Sequence, residues 1–65
     1  QMNRIVMKII NQIVSETGED AMTSEIYSRA RVMEIEDLNA IDETIQRLVM
    51  NDQLLMSRPG VWRPF

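Results

Sequence analysis

A chain of 65 residues with a net charge of -3 and neither Cys nor His is one domain at most, near the lower limit for a core that folds without staples. The missing residue types exclude disulfides, thiolate metal ligands and a thiol nucleophile, and remove the usual general base and the commonest zinc ligand. A hydrophobic content of 45% suits a packed domain rather than a disordered tail.

A first helix is expected over residues 3–17, capped by Asn3 and closed by Gly18 in a left-handed conformation. Its stripe of Ile5, Val6, Ile9, Ile10, Ile13 and Val14 needs a partner surface, while Arg4, Lys8, Asn11, Gln12 and Ser15 face outward. Glu19-Asp20 make a polar turn. Thr23 is the expected cap of a second, short helix over residues 23–33, with Glu25 in its first turn and Ile26, Tyr27 and Ala30 on its inner face. Met22, just before the cap, packs back as a staple. Residues 33–36 connect to a third helix over residues 37–51, with Ile35 turned inward. There Leu38, Ile41, Ile45, Leu48 and Val49 recur at three- and four-residue steps. An Ala at position 30 and a short link suit two closely crossing helices, the helix-turn-helix arrangement.

After Asn51-Asp52 the pattern becomes strand-like, and a two-stranded hairpin is expected over residues 53–63. Pro59 presets its backbone and Gly60 accepts a positive φ, which suits a tight reversal at Arg58-Pro59-Gly60. Pro64 ends the second strand because it has no N–H for the ladder. A hairpin this short is not stable alone, so Leu55 and Trp62 are expected to rest on the helices. The fold class is therefore α+β: a winged helix, with a three-helix helix-turn-helix core and a two-stranded β-hairpin wing, as a single domain over residues 1–65.

The run from Ile41 through Asp52-Gln53-Leu54-Leu55-Met56-Ser57-Arg58-Pro59-Gly60-Val61-Trp62-Arg63 is similar to the C-terminal winged helix of archaeal minichromosome maintenance (MCM) helicases. Those domains end with a helix, a polar turn, an apolar strand and an Arg-Pro-Gly wing followed by an aromatic or basic strand. The Thr23–Ala30 segment resembles their short second helix. The likeness covers about the last 43 residues, and Asn51-Asp52 stands where a Gly is common. The overall pattern also resembles the C-terminal winged helix of the middle subunit of replication protein A, which works mainly by binding proteins. These resemblances imply a non-catalytic accessory domain of DNA replication that regulates a motor or docks partners, with at most weak DNA contact. ATP hydrolysis would belong to other domains. The expected partners are replication or other nucleic-acid-processing proteins, with no membrane, no small-molecule substrate and no cofactor.

The charge pattern bears on the same question. From Glu19 to Glu43 there are eight acids against Arg29 and Arg31, whereas the hairpin carries Arg58 and Arg63 with no acid after Asp52. A self-sufficient nucleic-acid binder shows a basic surplus. Asn39, Gln46 and Arg47 on the outward face of the third helix are of types that reach base edges, but Asp42 and Glu43 beside them repel phosphates. That face suits a solvated surface, or protein docking through Asp42, Glu43 and Met50, better than it suits major-groove readout. Arg58 and Arg63 are candidates for straddling a phosphate backbone; equally, they serve a turn and an edge strand that must not pair with neighbours. Trp62 reads as a core plug, the methionines mostly as gap fillers, with Met33 and Met50 exposed.

Catalysis is not expected. Asp42 and Glu43 are adjacent and point apart on a helix, and Gly18 and Gly60 make no phosphate loop. The alternative function is a small stand-alone winged-helix transcription regulator, dimeric through its first helix, binding DNA with the third helix and wing. No apolar run spans a bilayer and no signal-peptide pattern opens the chain, so an intracellular location is expected: cytoplasm or nucleoid, or the nucleus in a eukaryote. Residue 1 is Gln rather than Met, as in a domain excised from a longer chain.

Overall fold

The computed structural model describes all residues from Gln1 to Phe65. It is a small α+β domain of three helices and a three-stranded antiparallel sheet, in the order α1 (Met2–Thr17), β1 (Ala21–Met22), α2 (Thr23–Val32), α3 (Leu38–Met50), β2 (Leu54–Arg58) and β3 (Val61–Pro64). Strand β3 is central, with β1 and β2 on either side.

The stripe on α1 buries Val6, Ile9, Ile10 and Ile13, which lie across α2 and α3 in one core with Ile26, Ala30, Ile41, Ile45, Leu48, Leu54 and Trp62. Each buried aliphatic side chain contributes about 1.5–3 kcal/mol of transfer free energy, so in a chain this short the stripe is a major stabilising element. Gly18 ends α1 with φ 71°, and its N–H donates to the Val14 carbonyl at 2.9 Å. Asn3 is not the cap. The helix starts at Met2 without a side-chain cap, and Asn3 Oδ1 instead accepts from Arg47 Nε at 3.2 Å. A tertiary bond to a guanidinium has taken the oxygen that a cap would have used.

The expected two-stranded hairpin is part of a three-stranded sheet. Ala21 and Met22 pair with Trp62 and Val61, and two residues are too few to show strand periodicity. Met22 is on this strand and half exposed, so it is not a staple. Thr23 begins α2 but does not cap it. Its backbone N–H and its hydroxyl both donate to the Gly60 carbonyl, at 2.9 and 3.1 Å, and its Oγ1 accepts from Trp62 Nε1 at 2.8 Å. The hydroxyl is thus committed to joining α2 to the hairpin, and it satisfies the indole N–H of a Trp that is only 7% exposed.

Helix α2 ends in a Schellman motif. Glu34 adopts φ 65°, its N–H donates to the Arg31 carbonyl, and the Ile35 N–H donates to the Ala30 carbonyl at 2.9 Å. Ile35 packs on the core as expected. Asp37 then caps α3, its Oδ1 accepting from the Ala40 N–H at 3.1 Å. Ile41, Ile45 and Leu48 are buried, but Leu38, at the helix start, is 45% exposed and outside the core. Thr44 is also buried; its hydroxyl donates back to the Ala40 carbonyl at 2.7 Å. The end of α3 repeats the device at the end of α2: Asp52 takes φ 60°, and the Gln53 N–H donates to the Leu48 carbonyl at 2.9 Å.

In the hairpin Gly60 has φ 78°; with Pro59 before it, this is the residue pattern of a type II turn. Such a turn splays right-twisted strands, and the ladder has an irregularity between Met56 and Arg58 next to it. Leu54, not Leu55, is the buried residue of β2. Leu54 lies opposite Pro64 and Met56 opposite Trp62, and residues two apart share a face, so Leu54 shares the face of Trp62. The ladder also runs past its expected end. Pro64 belongs to β3, and the Phe65 N–H donates to the Gln53 carbonyl at 3.2 Å. No helix is long and apolar enough to cross a membrane.

Candidate functional site

Two faces carry the candidate residues: the outward side of α3, and the strands and tip of the hairpin. Asn39, Asp42, Glu43, Gln46, Arg47 and Met50 are all exposed, Met50 at 82%. The periodicity that buries Ile41, Ile45 and Leu48 turns these positions to solvent. This face bears two acids and one cation. Its cation also leans away, because Arg47 donates to Asn3 on α1 and, through Nη2, to Thr44 Oγ1 at 3.0 Å. Asp42 accepts a hydrogen bond from the Tyr27 hydroxyl of α2. That bond raises the phenol above its ordinary 10.0, with smaller contributions from burial and the Asp42 charge. The α3 face therefore offers carboxylates and, at its C-terminal end, the unbranched apolar side chain of Met50, with few cations for phosphate.

On the hairpin, Arg58 is exposed next to the turn and has no ion-pair partner. Arg63 is partnered. Its Nε and Nη2 donate to the two carboxylate oxygens of Asp20 at 3.1 and 3.2 Å, and Ser57 donates to the same carboxylate. These bonds, from Arg63 first and Ser57 second, hold Asp20 below its ordinary 3.8, and they raise the Arg63 guanidinium in turn. The sequence shows Asp20 only as part of a polar turn, and Arg63 lies 43 residues away. The strand order makes them neighbours, since β1, which follows Asp20, pairs with β3. A second cation is used in the same way: Arg29 bridges Glu16 of α1 and Glu25 of α2, at 2.8 and 2.9 Å.

Met33 is half exposed as expected, and with Val32 (85% exposed) and Leu38 it leaves apolar surface at the corner between α2 and α3. No group of three or more acidic side chains converges on a metal-sized position. In comparisons with known proteins, no family model, curated protein or solved structure matches this chain.

Proposed function

We propose that this chain is a winged-helix domain serving as a non-catalytic docking module in a nucleic-acid-processing machine, with weak DNA contact through the hairpin. The order helix, short strand, two helices and hairpin, with β1 added to the edge of β3, is compatible with that fold; the MCM-type resemblance of residues 41–63 points to a replication setting inside the cell. The observation that carries the reading is how the cations are used. Arg29 and Arg63 are held in ion pairs with acids of this chain, Arg47 turns towards α1, and Asp42 and Glu43 stand where a reading helix would meet phosphates. DNA affinity comes mainly from phosphate neutralisation. Of the cationic side chains without an ion-pair partner, Arg4, Lys8, Arg31, Arg47 and Arg58, only Arg58 is on the hairpin, so little affinity is available there, whereas Asp42, Glu43 and Met50 lie on one exposed face for a basic and apolar partner.

Converting the α3 face tests this. Glu43→Lys with Asp42→Asn keeps an oxygen acceptor for Tyr27 and changes the face from net negative to net positive. If the carboxylates are what keep DNA away, the double variant binds a mixed-sequence duplex at least about tenfold more tightly at low salt, a gain of about 1.4 kcal/mol. Unchanged affinity would show that DNA does not approach this face and would remove the charge argument.

A further inference from the structure

A different face of the molecule has the opposite electrostatics. Residues 1–15 contain Arg4 and Lys8 and no acid, while residues 16–65 hold five cations against ten acids. Both cations are exposed, four residues apart on the outward side of α1, and neither has an ion-pair partner. They border an open groove whose other walls include Asn3, Asn11, Gln12 and, from the α3–β2 turn, Gln53. The side-chain amides of Asn11, Gln12 and Gln53 make no hydrogen bond within the chain, and Asn3, at the head of the groove, accepts from Arg47 Nε. Met7, half-buried, adds the one apolar side chain. At the far end Glu16 is bound to Arg29 and gives the groove a negative limit.

We infer that this groove is a docking strip for an acidic, extended peptide segment of a partner protein. Three features specify the occupant. First, four residues of helix rise about 6 Å, which matches the roughly 6.6 Å between residues i and i+2 of an extended chain; two carboxylates of an acid-x-acid sequence, projecting from one side, would meet Arg4 and Lys8 together. Second, unengaged side-chain amides carry both donors and acceptors and can pair with the peptide backbone between those carboxylates. Third, the length from Asn3 to Glu16 is about 20 Å, room for about six extended residues, with the acidic end near Asn3 and away from Glu16. A nucleic-acid strand fits less well: no aromatic ring lines the groove for base stacking, and two or three cations neutralise few phosphates. The site is centred on α1, away from the hairpin, so an absence of peptide binding would leave the function proposed above standing, whereas an oligonucleotide preference would count against both.

The test is fluorescence anisotropy with a labelled peptide Gly-Asp-Ser-Asp-Ser-Gly, a respaced control Gly-Asp-Ser-Ser-Asp-Gly, and a labelled oligothymidylate of matching charge. The expected result is salt-sensitive binding of the first peptide, weaker binding of the control, and weaker binding of the oligonucleotide. Arg4→Glu with Lys8→Glu, both on exposed helical positions, reduces peptide affinity on the order of tenfold, and Arg58→Glu does not. The inference is overturned by no saturable peptide binding, by equal binding of wild type and the double reversal, or by an oligonucleotide preference. Circular dichroism confirms that the reversed protein remains folded.

Discussion

The bond most open to direct energetic test is the one between Thr23 and Trp62. Thr23→Val keeps the shape of the side chain and removes only the hydroxyl. The Gly60 carbonyl retains the Thr23 backbone N–H at 2.9 Å, so the orphaned group is the Trp62 indole N–H, in a residue 7% exposed. An unsatisfied buried donor costs about 1–3 kcal/mol. With the lost hydroxyl bond to Gly60 largely replaced by the backbone one, about 2 kcal/mol is expected. For a domain of this length total stability is about 3–10 kcal/mol, so the loss is a large fraction, equivalent to about 8–16 °C in Tm. Urea unfolding followed by far-ultraviolet circular dichroism measures it, and a double-mutant cycle with Trp62→Phe isolates it. With no indole N–H to orphan, Thr23→Val should cost little in the Phe background. An equal cost in both backgrounds would refute the reasoning, since the hydroxyl would then act through something other than Trp62.

Other perturbations follow from the same geometry. Glu34 has φ 65° at the end of α2, a conformation that costs an L-residue about 1–2 kcal/mol; after the extra chain entropy of glycine, Glu34→Gly should raise stability by about 0.5–1 kcal/mol, and a loss in thermal melts would show that the Glu side chain contributes more than its strain. Asp20 has a folded pKa below its ordinary 3.8 because of Arg63 and Ser57, so its contribution to stability is complete above that value and disappears as pH falls through the folded one. Asp20→Asn should flatten that part of the acid-unfolding curve; an unaltered curve would mean the pairing is not populated. Tyr27 is shifted the other way, upward from 10.0 by its bond to Asp42, so its contribution is complete below 10.0 and lost as pH rises through the folded value. An ultraviolet titration of this single tyrosine should move down in Asp42→Ala, and an unmoved titration would exclude the bond.

The helices were legible from the period of their apolar residues, but a stop was recognisable only for α1, at Gly18; α2 and α3 end on Glu34 and Asp52, non-glycine residues that take positive φ. Gly18 and Gly60 take positive φ as their residue type suggests, and Met33 and Met50 are exposed as their positions outside the apolar stripes imply. What was not legible depends on residues far apart in the chain. Thr23 and Asn3 have cap-forming side chains, but Trp62 and Arg47, 39 and 44 residues away, claim their oxygens. Strand β1 is too short for a local signal and exists because β3 offers it an edge. The choice between Leu54 and Leu55 turns on strand register, which the irregularity after Met56 adjusts. Arg63 could be recognised as a hairpin cation, yet its charge is largely answered by Asp20, and only the sheet order brings the two together. The outward positions of α3 were readable because a helix displays them by period alone, but the bonds that engage Asp42 with Tyr27 and Arg47 with Asn3 were not.

The central claim, a docking module with weak DNA contact, is tested most directly by titrating the unaltered domain against labelled duplex and single-stranded DNA across a salt series. Contact confined to the hairpin, with Arg58 free and Arg63 partly engaged, neutralises about two phosphates, so the slope of log K against log salt should be about -2 or shallower and Kd weaker than about 10⁻⁵ M at physiological salt. Submicromolar binding with a slope steeper than about -4 would contradict the account, because contact would then extend beyond the hairpin to the unpaired cations Arg4, Lys8 and Arg31, or the ion pairs of Arg29 and Arg63 would open in favour of phosphate.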